Sequence, residues 1–138
     1  MSGIRTLGSV GGGRGGVECP RRKAPRLVLG LGVSGLATAV DAHFRSLGWD
    51  VARAPSGEEA GRLARRHKAT AVVLPVESTT ESGLLTCAKL AITKPHARVV
   101  LLGPEDPRLA RFARFAGAVG YLPAGAGTAA VVRAVLGN

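Results

Sequence analysis

From Arg26 to the C-terminus, short apolar runs alternate with stretches of helical period, five times over. Arg26–Leu31 (RLVLGL) is an apolar run closed by glycine and reads as a buried strand. Ser34–Leu47 follows as a helix, with Leu36, Val40, Phe44 and Leu47 on one stripe and Gly48 as its stop. Trp49–Ala54 (WDVARA) alternates like a strand with one exposed face. Ser56, Gly57, Glu58 and Glu59 have capping-box spacing, in which the Ser56 hydroxyl accepts an early helix amide and Glu59 reaches back. The helix they open turns Ala60, Leu63 and Ala64 inward and leaves Arg62, Arg65, Arg66 and Lys68 in water.

Thr70–Val76 (TAVVLPV) is the most apolar strand, and unbroken apolar character asks for cover on both faces. Ser82–Ile92 is a third helix, which Pro95 keeps from extending. Val99–Leu102 is a fourth strand, ended by Gly103 and Pro104. Asp106 caps a fourth helix with Pro107 at its first position, running to about Ala116 and Gly117. Val119–Leu122 is a fifth strand, and Gly127 or Thr128 opens a last helix through Leu136. Strict strand–helix alternation implies parallel strands joined by crossover helices. The expected fold class is therefore α/β: a doubly wound, five-stranded parallel sheet in a three-layer α/β/α arrangement.

A length of 138 residues allows one domain. Hydrophobic residues make up 46% of the chain but aromatics only 4%, so the core must be aliphatic. No apolar run approaches the roughly 20 residues of a membrane span, and MSGIRTLGSVGGGRGG lacks the apolar stretch of a secretory leader. Cys19 and Cys87 have no metal-ligand spacing, which excludes a disulfide scaffold and a zinc module. His43, His67 and His96 fall on different elements and form no ligand cluster. Ser34 and Ser56 read as helix caps rather than nucleophiles, and Cys87 as a small core residue. The expectation is a cytoplasmic, non-enzymatic domain with no metal and no cofactor.

Residues 1–25 differ from the rest. They hold seven of the 20 glycines, five basic residues and one acid, carrying +4 of the formal +10. With few side chains to bury and much backbone entropy to lose, this segment is expected to be a disordered basic Gly/Arg-rich tail. Such a tail binds nucleic acid or anionic surfaces by charge, although it lacks aromatic residues for stacking on bases.

Across Arg26–Asn138 the chain resembles the receiver (CheY-like) domain of bacterial two-component response regulators. The resemblance rests on GWDVARAPSGEEAGRLA, on AVVLP with Gly83 eight residues after Pro75, and on RFARFAGAVGYLPAGAGTAAVVRAV. It implies a five-stranded sheet and a phosphorylation pocket at the strand ends. In the family an acidic pair holds a divalent cation, an aspartate accepts phosphate, and a Ser/Thr and a Lys contact the phosphoryl group. Here the acidic-pair positions are Gly30 and Leu31, and the acceptor position is Pro75. The hydroxyl position is Leu102 or Gly103, and the lysine position is Ala124. All depart from the pattern, so the resemblance implies a pseudo-receiver that binds no cation and accepts no phosphate. Glu77, two residues beyond Pro75, is a carboxylate on the same strand face if the strand continues. The family's fourth helix, fifth strand and last helix form its usual dimer or output face. That points to Arg108, Arg111, Arg114 and Tyr121 as an interaction face for a protein partner or a second copy.

A second reading rests on Gly30-Leu31-Gly32-Val33-Ser34-Gly35, a G-x-G-x-x-G between a strand and a helix. VLGLGVSGL also resembles the first turn of Rossmann-like nucleotide-binding domains, including those that open some cell-wall amino-acid ligases. It assigns Gly30, Gly32 and Gly35 to a phosphate turn and Arg53 to a phosphorylated ribose. The same glycines also suit a tight turn with no ligand, and both readings stay open at the level of sequence.

Overall fold

The computed structural model describes residues 24–32, 34–77, 81–94 and 96–137. The strands are β1 (Arg26–Leu29), β2 (Asp50–Arg53), β3 (Ala71–Pro75), β4 (Arg98–Gly103) and β5 (Gly120–Pro123). Between and after them come α1 (Gly35–Ser46), α2 (Gly57–His67), α3 (Gly83–Thr93), α4 (Pro107–Phe115) and α5 (Thr128–Leu136). All pairings are parallel, in the order β2-β1-β3-β4-β5. The chain winds outward from β1 to β2, then returns past β1 to β3 and on to β5. Right-handed crossovers therefore place helices on both faces of the sheet.

Alternate strand residues build two cores. Val28, Val72, Leu74 and Leu101 pack under α2, α3 and α4, against Ala60, Ala64, Cys87, Leu90 and Ala113. Leu27, Leu29, Val73, Val100 and Leu102 pack on the other side, against Val40 and Phe44 of α1 and Val131, Val132 and Val135 of α5. Period-two alternation sends successive side chains to opposite faces, so the central strands are apolar throughout. The edge strands β2 and β5 are only half-buried. The expected α/β class and three-layer arrangement hold, and the core is aliphatic apart from Phe44.

Side chains start four of the helices. The Ser34, Ser56, Ser82 and Asp106 oxygens accept from backbone amides of the first turns of α1, α2, α3 and α4, at 3.0, 3.2, 3.1 and 2.9 Å. At Ser56 only half of the capping box forms, because the Glu59 carboxylate turns outward to pair with Arg62. A guanidinium one turn away offers it a charged partner that the backbone amide cannot match. The last helix is secured differently. Arg98 on β4 donates to the carbonyls of Val135 (2.9 Å) and Ala134 (3.3 Å), so a cation covers the negative end of α5. Arg98→Ala should cost about 2 kcal/mol in urea unfolding, and Arg98→Lys, with charge but no fork, should recover only part of it.

Several boundaries differ from the sequence reading. β1 ends at Leu29 rather than Leu31. The Gly30 amide still donates to the Val73 carbonyl (2.8 Å), after which Gly32 turns the chain at φ +66°. Leu47, expected on the buried stripe of α1, caps that helix and is 51% exposed. Trp49 precedes β2 instead of belonging to it, and stands edge-on to Phe44 at 4.9 Å between centroids. β3 is shorter by one residue at each end, Ser82 caps α3 instead of joining it, and β4 extends over Arg98 and Gly103. β5 is displaced by one residue, to Gly120–Pro123. Pro25, assigned to the tail, is already fastened to the sheet: its carbonyl accepts from the Asp50 amide at 2.9 Å. Residues 1–23 of the tail and Pro95 lie outside the described residues.

Candidate functional site

In an open parallel sheet, the crevice for a ligand lies beyond the carboxyl ends of the strands, where the winding reverses. Here that point is between β1 and β3. A depression of about 440 Å³ occupies it. Its floor is Leu31 beyond β1, Pro75 ending β3, Leu102 and Gly103 ending β4, and Ala124 just past β5. Ser34, Leu36, Glu77 and Pro104 complete the wall. The Ser34 hydroxyl is committed to the Ala37 amide, and Leu36 is half-buried. Glu77 is exposed, and it is the one carboxylate among the described residues lining the depression. β3 stops at Pro75, so Glu77 reaches the wall from the loop rather than along a strand face. Backbone bonds hold this segment: the Val76 amide donates to the Leu102 carbonyl (2.7 Å) and the Gly83 amide to the Val76 carbonyl (2.9 Å).

The glycine turn lies beside this crevice. A Cβ on Gly30 would fall 2.7 Å from Ala60 Cβ and 3.2 Å from the Ser56 carbonyl, so Gly30 lets α2 close against β1. Gly32 supplies the left-handed turn, and Gly35 opens α1 with nothing within 4 Å of an added Cβ. Arg53 borders a shallow recess with Gly32, Thr38 and Pro55. Its guanidinium lies 3.6 Å from the Asp41 carboxylate and donates to Thr38 Oγ1 and the Gly32 carbonyl, both at 3.4 Å. Asp41 also pairs with Arg45. The residues that the nucleotide reading assigns to phosphate thus have partners within the fold: packing for Gly30, turn geometry for Gly32, a carboxylate for Arg53. Sequence gave no signal for the Arg53–Asp41 pair, although Asp41 and Arg45 have the i,i+4 spacing of a helix pair.

On α4, Arg108, Arg111 and Arg114 are all exposed. Arg108 lies 3.6 Å from Asp106, whose carboxyl is held below its ordinary range by hydrogen bonding from the Arg108 amide. Tyr121 is half-buried on β5, its hydroxyl standing over Gly103 and donating to the Pro104 carbonyl. Burial, reinforced by the carboxylates of Asp106 and Glu77, pushes its phenol above the usual value. Cys87 is fully buried as expected, with its thiol 3.4 Å from the Ala116 carbonyl, and desolvation raises it to about 11. It is therefore a thiol, not a thiolate, at neutral pH. Glu81 pairs with Lys89 at 2.6 Å and accepts from Thr86, bonds that hold its carboxyl low. Among the described residues no three His, Cys, Asp or Glu side chains gather to hold a metal, and no helix is long and apolar enough to cross a membrane.

No family model matches the chain. It is similar to the response regulator GacA of Pseudomonas viridiflava, 38% identical over 87 residues, which cover 62% of this chain and 40% of that protein. GacA of Pseudomonas syringae pv. syringae strain B728a is 37% identical over the same length. In three dimensions the chain is similar to the CheY-like receiver domain protein of Methanospirillum hungatei, with a TM-score of 0.74 at 11% identity over 83% of this chain and 93% of that one. It is also similar to a response regulator from Burkholderia pseudomallei, solved with a phosphorylated aspartic acid and a calcium ion (TM-score 0.70, 24% identity, 82% of this chain and 66% of that one). The signal receiver domain of NarL from Mycobacterium tuberculosis gives 0.69 at 21% identity over 85% and 100%.

The fold is that of a response-regulator receiver domain, and the sequence is similar to that of response regulators.

It spans 40% of the length of the curated relatives it matches. Within the receiver domain, five of the six positions singled out from the sequence, Leu31, Pro75, Leu102, Gly103 and Ala124, meet in the one depression. The sixth, Gly30, lies beneath α2. Arg108, Arg111, Arg114 and Tyr121 sit to one side of the receiver domain, on α4 and β5, away from α1 and β2.

Proposed function

We propose that this receiver domain takes part in two-component signalling without accepting phosphate, by binding a protein partner or a second copy through α4, β5 and α5. The observation that carries the reading is the lining of the strand-end depression: leucine, proline, glycine and alanine stand where the chemistry asks for oxygen ligands. A hard divalent cation takes about six or more oxygens, largely carboxylates. Glu77 alone leaves most of that shell to water. Without the cation, charge developing on a transferred phosphoryl group goes unneutralised, and proline supplies no nucleophile. Arg114 and Tyr121 favour the α4–β5 side for docking, since arginine and tyrosine are frequent interface anchors.

Incubating the full chain with a small phosphodonor and magnesium, then measuring intact mass, tests this. The expected result is no phosphoryl adduct and a melting temperature that magnesium does not move. A stable adduct would overturn the reading, and its loss in Glu77→Gln would identify Glu77 as the acceptor.

A further inference from the structure

Four of the large hydrophobic residues exposed in the described structure lie in the C-terminal halves of α3 and α4 or just after α4. Phe115 is 83% exposed, Ile92 81%, Phe112 59% and Val119 48%. The contacts between α3 and α4 fix where they lie. The Cys87 thiol meets the Ala116 carbonyl, and a Cβ on Gly117 would come within 2.8 Å of Ala91 Cβ, so the C-terminal ends of these helices adjoin. Ile92 follows Ala91 and Phe115 precedes Ala116. Phe112 stands one helical turn before Ala116, on the same side of α4. Pro107 and Ala110, by contrast, border Tyr121 and Pro123 on the β5 side. The apolar flank of α4 is therefore turned away from β5. The patch sits by the amino ends of β4 and β5, at the opposite end of the sheet from the strand-end depression.

Charge selects the occupant. From Ser82 to Lys94 and from Pro107 to Val119 there is no aspartate or glutamate, while Lys89, Lys94, Arg108, Arg111 and Arg114 all fall there. Lys89 is taken by Glu81, and Arg108 lies near Asp106. Arg111 stands one turn before Phe115, and Lys94 two residues after Ile92. Neither makes an ion pair among the described residues. We infer that the α3–α4 edge is a docking groove for an acidic amphipathic helix of another protein. The partner's apolar stripe covers Phe112, Phe115 and Ile92, and its carboxylates meet Arg111 and Lys94. A second copy is a poor occupant, because a two-fold contact sets like charges against each other. The groove shares α4 and Arg111 with the α4–β5–α5 face but uses the other flank of that helix, away from Tyr121 and Pro123, and it does not depend on what the strand-end depression binds.

The probe is a designed helical peptide with a leucine stripe flanked by glutamates, titrated into the full chain while backbone amide shifts are followed. Saturable binding is expected, with shifts confined to α3 and α4, weakening as salt is raised. Phe115→Ser and Ile92→Ser should each weaken it about tenfold or more, and Tyr121→Ala should leave it unchanged. No saturable binding, shifts centred on β5 and α5, or equal affinity for the lysine version of the peptide would each overturn the inference. So would a dimer in sedimentation that Phe115→Ser dissolves, which would place a second copy on this edge. None of these outcomes bears on whether the domain takes up phosphate.

Discussion

Replacing Gly83 by alanine should destabilise the receiver domain by about 3 kcal/mol or more, with a fall in melting temperature on the order of 10 °C. Gly83 is the first residue of α3, and its amide bonds the Val76 carbonyl. A Cβ there would lie 2.1 Å from the Pro75 carbonyl oxygen, 2.9 Å from its carbon and 3.0 Å from Val76 Cα. All three are backbone atoms, so no side-chain rotation relieves the overlap. Relief requires moving the start of α3 or the end of β3, and the latter is held by the Val76–Leu102 bond. Gly35→Ala is the matched control: it also adds a methyl in the first turn of a helix, but nothing lies within 4 Å of it. That variant should be neutral or slightly stabilising, since alanine is the better helix residue. Urea unfolding of both distinguishes the cases, and a Gly83→Ala protein as stable as Gly35→Ala would mean that α3 does not seat on β3 in this way.

The spacing between Pro75 and Gly83 was visible in the sequence, but its reason was not. The sequence reading places Gly83 in the third helix and uses its spacing only for the resemblance, and only the approach of α3 to β3 shows that it is a steric requirement. Gly30 follows the same pattern: the G-x-G-x-x-G suggests a phosphate turn, whereas Ala60 packs into the space a side chain would fill. The fold class was legible because it depends on period alone. Unbroken apolar runs marked the buried strands β1, β3 and β4, and alternation marked β2. The strand-end positions were legible because a parallel sheet brings its carboxyl ends to one rim, so an offset from each strand end suffices to place Leu31, Pro75, Leu102, Gly103 and Ala124 together. What sequence could not supply was the choice among competing partners. Glu59 could reach back to cap its helix or out to Arg62, and Arg53 could face solvent or Asp41. Likewise the three arginines of α4 suggested one cationic face, but period alone could not say that Ala110 borders Tyr121 and Pro123 of β5 while Phe112 and Phe115 stand exposed.

Phe44→Ala and Phe115→Ala should differ by several kcal/mol, although each removes the same atoms from a helix. Phe44 is wholly buried beneath α1 and is the largest such side chain in the domain. It packs with Leu27, Leu29, Val40 and Val100, and stands edge-on to Trp49. Truncating a buried phenylalanine removes its transfer free energy and leaves a cavity, a loss of about 3–5 kcal/mol. In a domain whose total stability is about 5–15 kcal/mol, that brings the native state close to its limit. Trp49 is the sole tryptophan and reports the site directly, so its emission should shift under native conditions in Phe44→Ala. Phe115 is 83% exposed, and its truncation should stay within about 0.5 kcal/mol of the parent in the same urea titration. A loss of several kcal/mol at Phe115 would mean that the ring is buried in solution and that the α3–α4 edge is already covered. The expected contrast separates two uses of one residue type. Phe44 holds α1 to the sheet, whereas Phe115 contributes almost nothing to the isolated domain, so the energy of covering it remains available to a partner.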